Sequence, residues 1–133
     1  MTSRAAKRPQ KIFVVEDNKE VYEVLHIMLR NLSYHVCGRA ENLIDAIEGI
    51  EKNNPDFVLV DISLGNTDEG LDVGSYLDTK TKIPFVYITA YDDDEILDKA
   101  RATGPAGYLL KPFDKRQLMV ALEMARGKEH PHT

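Results

Sequence analysis

Asp56-Phe57-Val58-Leu59-Val60-Asp61 is a short apolar run that ends directly on an acid. A run of this length and composition reads as a buried strand. Asp61 therefore stands at the mouth of that strand, not on an ordinary wet surface. Three more segments repeat the arrangement. Ile12-Phe13-Val14-Val15 runs into Glu16-Asp17, Phe85-Val86-Tyr87-Ile88 into Thr89-Ala90, and Gly107-Tyr108-Leu109-Leu110 into Lys111-Pro112. The four strand ends carry three carboxylates, a hydroxyl and an ammonium. If the strands are parallel, all of these groups meet on one edge of one sheet, where open α/β folds place their chemistry.

The segments between the strands have helical spacing. Asp17 or Asn18 caps a helix that turns Val21, Leu25, Met28 and Leu32 inward. A short strand over 34–38 follows, and then a helix with Leu43, Ala46, Ile47 and Ile50 inward, closed by Asn53-Asn54-Pro55. A third helix turns Leu71, Gly74 and Leu77 inward, although Gly74 lowers its propensity. Ile83-Pro84 opens the fourth strand, where a proline is tolerated. Asp92-Asp93-Asp94 starts a fourth helix by capping and by complementing the dipole. Three consecutive acids point in different directions on a helix, so capping outweighs metal binding there. Gly104-Pro105 breaks the chain before the last strand, and Asp114 caps a final helix with Leu118, Ala121, Leu122 and Ala125 inward. Strand and helix thus alternate five times, which predicts an α/β domain: a doubly wound parallel sheet with helices on both faces. Right-handed crossovers put every carboxyl end on the same edge. The expected organisation is a flexible leader over 1–10, one folded domain over 11–126 and a polar tail over 127–133.

A chain of 133 residues, 43% hydrophobic and 29% charged, suits one soluble domain with a real core. A net charge of -5 argues against a nucleic-acid surface, and Arg4, Lys7 and Arg8 are confined to the leader. The single cysteine, Cys37, excludes an intramolecular disulfide and reads as a small core residue. No apolar run approaches the ~20 residues of a membrane span, and the polar N-terminus lacks a signal-peptide core. The expectation is a cytoplasmic protein without membrane contacts. His130 and His132 read as part of the tail, not as metal ligands.

Glu16, Asp17 and Asp61 side by side in a dry pocket raise one another's pKa, and a bound divalent cation reverses that effect. Oxygen-only ligands suit a hard ion such as Mg²⁺. Thr89 and Lys111 opposite the acids suit a tetrahedral oxyanion, most naturally phosphoryl. Asp61 can itself be the nucleophile, because carboxylates form acyl phosphates. The chain has no GxxxxGK[ST] and no GxGxxG, and the turn Asp17-Asn18-Lys19-Glu20 is acidic and lacks glycine. An aspartyl phosphatase wants a second acid two residues after the nucleophile, where this chain has Ser63.

Taken in order, Glu16-Asp17, Asp61-Ile62-Ser63-Leu64, Ile88-Thr89-Ala90 and Tyr108-Leu109-Leu110-Lys111-Pro112-Phe113 resemble the receiver domain of bacterial two-component response regulators, over residues 11–126. The resemblance implies a flavodoxin-like sheet of order 2-1-3-4-5. It makes Asp61 the acceptor of a phosphoryl group from a sensor histidine kinase or phosphotransfer protein. Asp17 and Asp61 would bind Mg²⁺ directly with the Ser63 carbonyl, and Glu16 would act mostly through water. Thr89 and Lys111 would contact the phosphoryl group. Tyr108 would be the switch aromatic that turns inward when Thr89 is drawn to the phosphate. A homodimer or partner would dock on the fourth helix, fifth strand and fifth helix. The small Ala90 leaves room beside the site, and Lys111-Pro112 matches the family's cis peptide. Such a domain assists its own phosphorylation and is not a turnover enzyme. The competing readings are an interaction module that no longer cycles phosphate, an aspartyl phosphatase and a flavoprotein. One stretch departs from the family: Gly65 replaces a proline four residues after Asp61, and Gly70 comes nine residues after it instead of eight. The loop is one residue longer, and the resemblance leaves its path over 63–68 open.

Overall fold

Strands and helices alternate in the computed structural model, which describes residues 10–90 and 93–127. The basic leader residues, Asp92, His130 and His132 lie outside the described residues. The elements are β1 (Lys11–Val15), α1 (Lys19–Asn31), β2 (His35–Ala40), α2 (Leu43–Asn53), β3 (Phe57–Asp61), α3 (Gly70–Lys80), β4 (Phe85–Thr89), α4 (Asp94–Ala102), β5 (Gly107–Leu110) and α5 (Lys115–Gly127). The strands form one sheet in the order β2-β1-β3-β4-β5, and every pairing is parallel.

Side chains alternate across the pleat, so the apolar strands feed two cores. Phe13, Val15, Val58, Val60, Phe85 and Tyr87 pack with Ala46, Ile50, Val73, Leu77 and Ala100 of α2, α3 and α4. Ile12, Val14, Phe57, Leu59, Val86 and Ile88 pack with Leu25 and Leu29 of α1 and with Leu118, Leu122 and Ala125 of α5. Cys37 is half-buried and packs against the first of these cores. Among the described residues no helix is long and apolar enough to cross a membrane.

Helix starts follow the capping chemistry. Asn18, not Asp17, caps α1, its Oδ1 accepting from the Val21 N–H at 3.0 Å. Asn42 caps α2 and Asp93 caps α4 in the same way. Asp114 and Gln117 exchange bonds of 2.8 and 2.9 Å across the first turn of α5, a reciprocal capping box. Each such cap contributes ~1 kcal/mol.

Two details differ from the sequence reading or go beyond it. β2 runs to Ala40, two residues past the expected end, and its register against β1 shifts by one residue between Ile12 and Phe13. The 63–68 loop is a tight turn: Leu64 and Thr67 exchange backbone bonds of 2.9 and 3.1 Å, with Gly65 at φ 58° and Asn66 at φ 65° between them. Two successive positive φ values define a type I′ turn.

Candidate functional site

Strand register delivers the polar groups to one place. Val15 pairs with Val60, so the next residues, Glu16 and Asp61, stand side by side at the sheet's edge. Asp61 pairs with Ile88, just before Thr89, and Thr89 pairs with Leu110, just before Lys111. Glu16, Asp61 and Thr89 are 1%, 2% and 1% exposed, and they are the buried polar or charged residues among those described. All three stand at this edge of the sheet.

Lys111 Nζ donates to Asp61 Oδ2 at 2.7 Å and lies 3.9 Å from Glu16 Oε1. The Ser63 N–H donates to the other Asp61 oxygen, Oδ1, at 2.9 Å. The Asn18 N–H donates to Glu16 Oε2 at 3.0 Å, and Glu16 Oε1 has no hydrogen-bond partner although it is buried. The Gly65 N–H, on the type I′ turn, donates to Asp17 Oδ2 at 2.9 Å. The Lys111–Pro112 peptide is cis.

Burial, then the neighbouring Asp61 carboxyl, pushes the Glu16 pKa up from 4.5 to about 8, and the Asn18 N–H bond and the Lys111 charge only partly offset this. For Lys111 burial is again the largest single cause, but it is outweighed. Burial alone lowers its pKa, but the hydrogen bond and charge of Asp61, helped by Glu16 and Asp17, leave it raised. The edge thus holds more carboxylate than one ammonium neutralises, which is the electrostatic condition for binding a cation.

No three acidic, imidazole or thiol side chains converge into a ready-made metal cage among the described residues. Mg²⁺ does not need one, because it commonly keeps several waters and takes one or two carboxylates. The all-oxygen donor set, the Glu16 Oε1 left without a hydrogen bond and the raised Glu16 pKa fit a hard cation. Of the candidates read from sequence, Glu16, Asp61 and Lys111 are in mutual reach, and Thr89 is buried on the adjacent strand end. Asp17 is held through Gly65. The Ser63 amide holds Asp61. Tyr108 is 39% exposed and stands outward, its ring stacked 6.2 Å from that of Tyr87.

Arg39 is a residue of this edge that the sequence did not single out. Its Nε donates to the Glu16 carbonyl at 3.0 Å and its Nη2 to the Asp17 carbonyl at 3.1 Å. Only the placement of β2 beside β1 reveals it.

A family model, the response regulator receiver domain, matches residues 12–123. The chain is similar to the transcriptional regulatory protein PdtaR of Mycobacterium tuberculosis, with 32% identity over 124 residues, which are 93% of this chain and 60% of the relative. It is also 32% identical to the sensory transduction protein LytT of Bacillus anthracis over 115 residues, covering 85% of this chain and 46% of that one. The chain thus spans about half the length of these curated relatives. Among solved structures, the signal receiver domain of a modulated diguanylate cyclase from Desulfovibrio desulfuricans G20 superposes with a TM-score of 0.84 at 31% identity, over 91% of this chain and 96% of that one.

Proposed function

Because this chain belongs to the response regulator receiver family, we propose that it is a phosphorylation-controlled switch with Asp61 as the phosphoacceptor. The observation that carries this reading is the buried Asp61 carboxylate gripped by Lys111 at 2.7 Å, at an edge shared with Glu16 and Thr89. In the proposed step an Asp61 oxygen attacks the phosphorus of a phosphohistidine on a histidine kinase or phosphotransfer protein. An O–P bond forms, the P–N bond breaks, and the histidine nitrogen keeps the electron pair. Lys111 moves from the carboxylate to an oxygen of the arriving phosphoryl group, and the Thr89 hydroxyl donates to another. The Ser63 N–H holds the remaining Asp61 oxygen in place.

Asp17, Asp61 and the Ser63 carbonyl would hold Mg²⁺, with Glu16 reaching it through water. When bound, the ion supplies positive charge against the crowded oxygens. Drawing Thr89 toward the phosphate opens space for Tyr108 to turn inward. The response then reaches the face of α4, β5 and α5, where Tyr108, Leu110, Val120 and Met124 are exposed and can receive a second copy or a partner. No nucleic-acid or membrane contact is assigned to this domain, and the reading implies a cytoplasmic protein.

Intact-mass measurement after incubation with acetyl phosphate and Mg²⁺ tests the assignment. The expected product is one alkali-labile phosphate adduct, lost when Mg²⁺ is chelated and absent in Asp61→Asn. An adduct persisting in Asp61→Asn at the wild-type level sinks it.

A further inference from the structure

Strand hydrogen bonding ends just where the acidic pair begins. The Glu16 N–H still belongs to the ladder, donating to the Ala40 carbonyl at 2.9 Å, but the Glu16 and Asp17 carbonyls lie beyond it. Backbone acceptors withdrawn from water need donors. The Arg39 guanidinium supplies both, through Nε to Glu16 and Nη2 to Asp17. Its other contacts fix the plane of the fork. The Tyr22 ring lies 5.0 Å from Arg39 Cζ, and Nη1 is 3.5 Å from Glu41 Oε2. The Arg39 side chain is 20% exposed, so these bonds are partly shielded from solvent.

We infer that Arg39 is a positioning residue, clamping the two successive peptide planes that aim the Glu16 and Asp17 carboxyls at the site. The inference rests on the reading of this edge as a Mg²⁺-dependent phosphoacceptor site. The fork is suited to the task because it presents two donors in one rigid plane, whereas lysine offers a point charge on a flexible stem. Asp17 is then held at both ends, by Arg39 at its carbonyl and by the Gly65 N–H at its carboxylate. Tyr22 and Glu41 hold the clamp itself.

Simple charge and positioning predict opposite signs. Removing a cation beside a cation site should tighten Mg²⁺ binding by Coulomb's law, whereas removing a positioning residue should weaken it, by about 10-fold as outer partners of metal ligands commonly do. The measurement is Mg²⁺ titration of wild type, Arg39→Ala and Arg39→Lys, followed by amide chemical shifts. Expected is weaker binding in Arg39→Ala and partial recovery in Arg39→Lys, which keeps the charge and the stem but not the fork. The acetyl phosphate reaction of Arg39→Ala should need more Mg²⁺ for half-maximal rate yet approach the wild-type rate at saturation. A metal-independent readout accompanies these. The Asn18 amide, bonded to Glu16 Oε2, should exchange faster with solvent in both variants without Mg²⁺.

If Arg39→Ala does not fold, Arg39→Lys decides alone. Wild-type or tighter Mg²⁺ affinity with unchanged Asn18 exchange in a folded variant overturns the clamp and leaves the phosphoacceptor reading standing. Absence of any Mg²⁺ response in the wild-type protein overturns that reading and the clamp with it.

Discussion

In the unfolded chain Glu16 ionises near 4.5, whereas in the folded protein burial beside Asp61 keeps it protonated up to about 8. Between these values the folded state holds a proton that the unfolded state has lost. Stability of the metal-free protein therefore falls as pH rises through this window and levels off above it. Lys111 does not contribute to that slope. Its folded pKa is raised, so its contribution is complete below about 10.5 and is lost only at higher pH. One pKa unit corresponds to ~1.4 kcal/mol, which puts the Glu16 effect on the order of a few kcal/mol. Urea unfolding in EDTA should accordingly show a lower midpoint at pH 8 than at pH 5.5. Glu16→Gln, which keeps the shape without the charge, should flatten the dependence and gain most over wild type at pH 8. Mg²⁺ should restore the wild-type midpoint at pH 8 more than at pH 5.5. Equal wild-type midpoints at the two pH values in EDTA would show that Glu16 is already ionised.

At the scale of elements, Gly74 separates local propensity from packing. In an exposed helix, Gly→Ala gains about 1 kcal/mol. A Cβ on Gly74, however, would lie 1.7 Å from the Tyr87 hydroxyl oxygen. That hydroxyl is not free to yield, being bonded to Thr103 Oγ1 at 2.6 Å. Gly74→Ala should therefore cost about 1–3 kcal/mol, the usual range for overpacking. Adding Tyr87→Phe should recover part of the loss, a coupling that a double-mutant cycle by urea unfolding would detect; a stabilised Gly74→Ala would remove the close approach from the account. The same example shows what a sequence carries. Period-2 and period-3.6 patterns, together with Asn18, Asp93 and Asp114 as caps, are local and made the alternating elements readable. The strand-end positions of Glu16, Asp17, Asp61, Thr89 and Lys111 are local too. What escaped depends on neighbours distant in sequence. Gly74 has its reason on β4, the one-residue register shift of β2 exists only against β1, and Arg39 meets Glu16 and Asp17 only across the sheet. Gly65-Asn66 has turn composition, but no flanking strand pattern identified its type I′ geometry.

For the molecule as a whole, the question is how an event at Asp61 could reach a distant face. β4 offers a continuous route. Thr89 stands at its carboxyl end beside Asp61, and Tyr87, two residues earlier, stacks on Tyr108 of β5 at 6.2 Å. The Tyr87 hydroxyl also meets Thr103, the residue that closes α4, while Thr103 Oγ1 donates to the Ala100 carbonyl inside that helix. A displacement of Thr89 is thus applied to a strand already bonded to α4 and packed on β5. Tyr108 stands outward here, the position from which an inward turn would bury its ring and redraw the face containing Leu110, Val120 and Met124. A ligand shifts such an equilibrium only by its differential affinity for the two states. The differential contact proposed is the Thr89 hydroxyl to phosphate. Beryllofluoride with Mg²⁺, a phosphoryl mimic, should therefore change amide exchange at Tyr108 and along residues 93–103 as well as in the loops beside Asp61. In Thr89→Ala the mimic should still bind and the local changes persist, with the remote ones reduced severalfold. Wild-type changes confined to the Asp61 loops would leave a phosphate-holding module without a switch. Undiminished remote changes in Thr89→Ala would move the trigger from Thr89 to another group at the edge, Lys111 first.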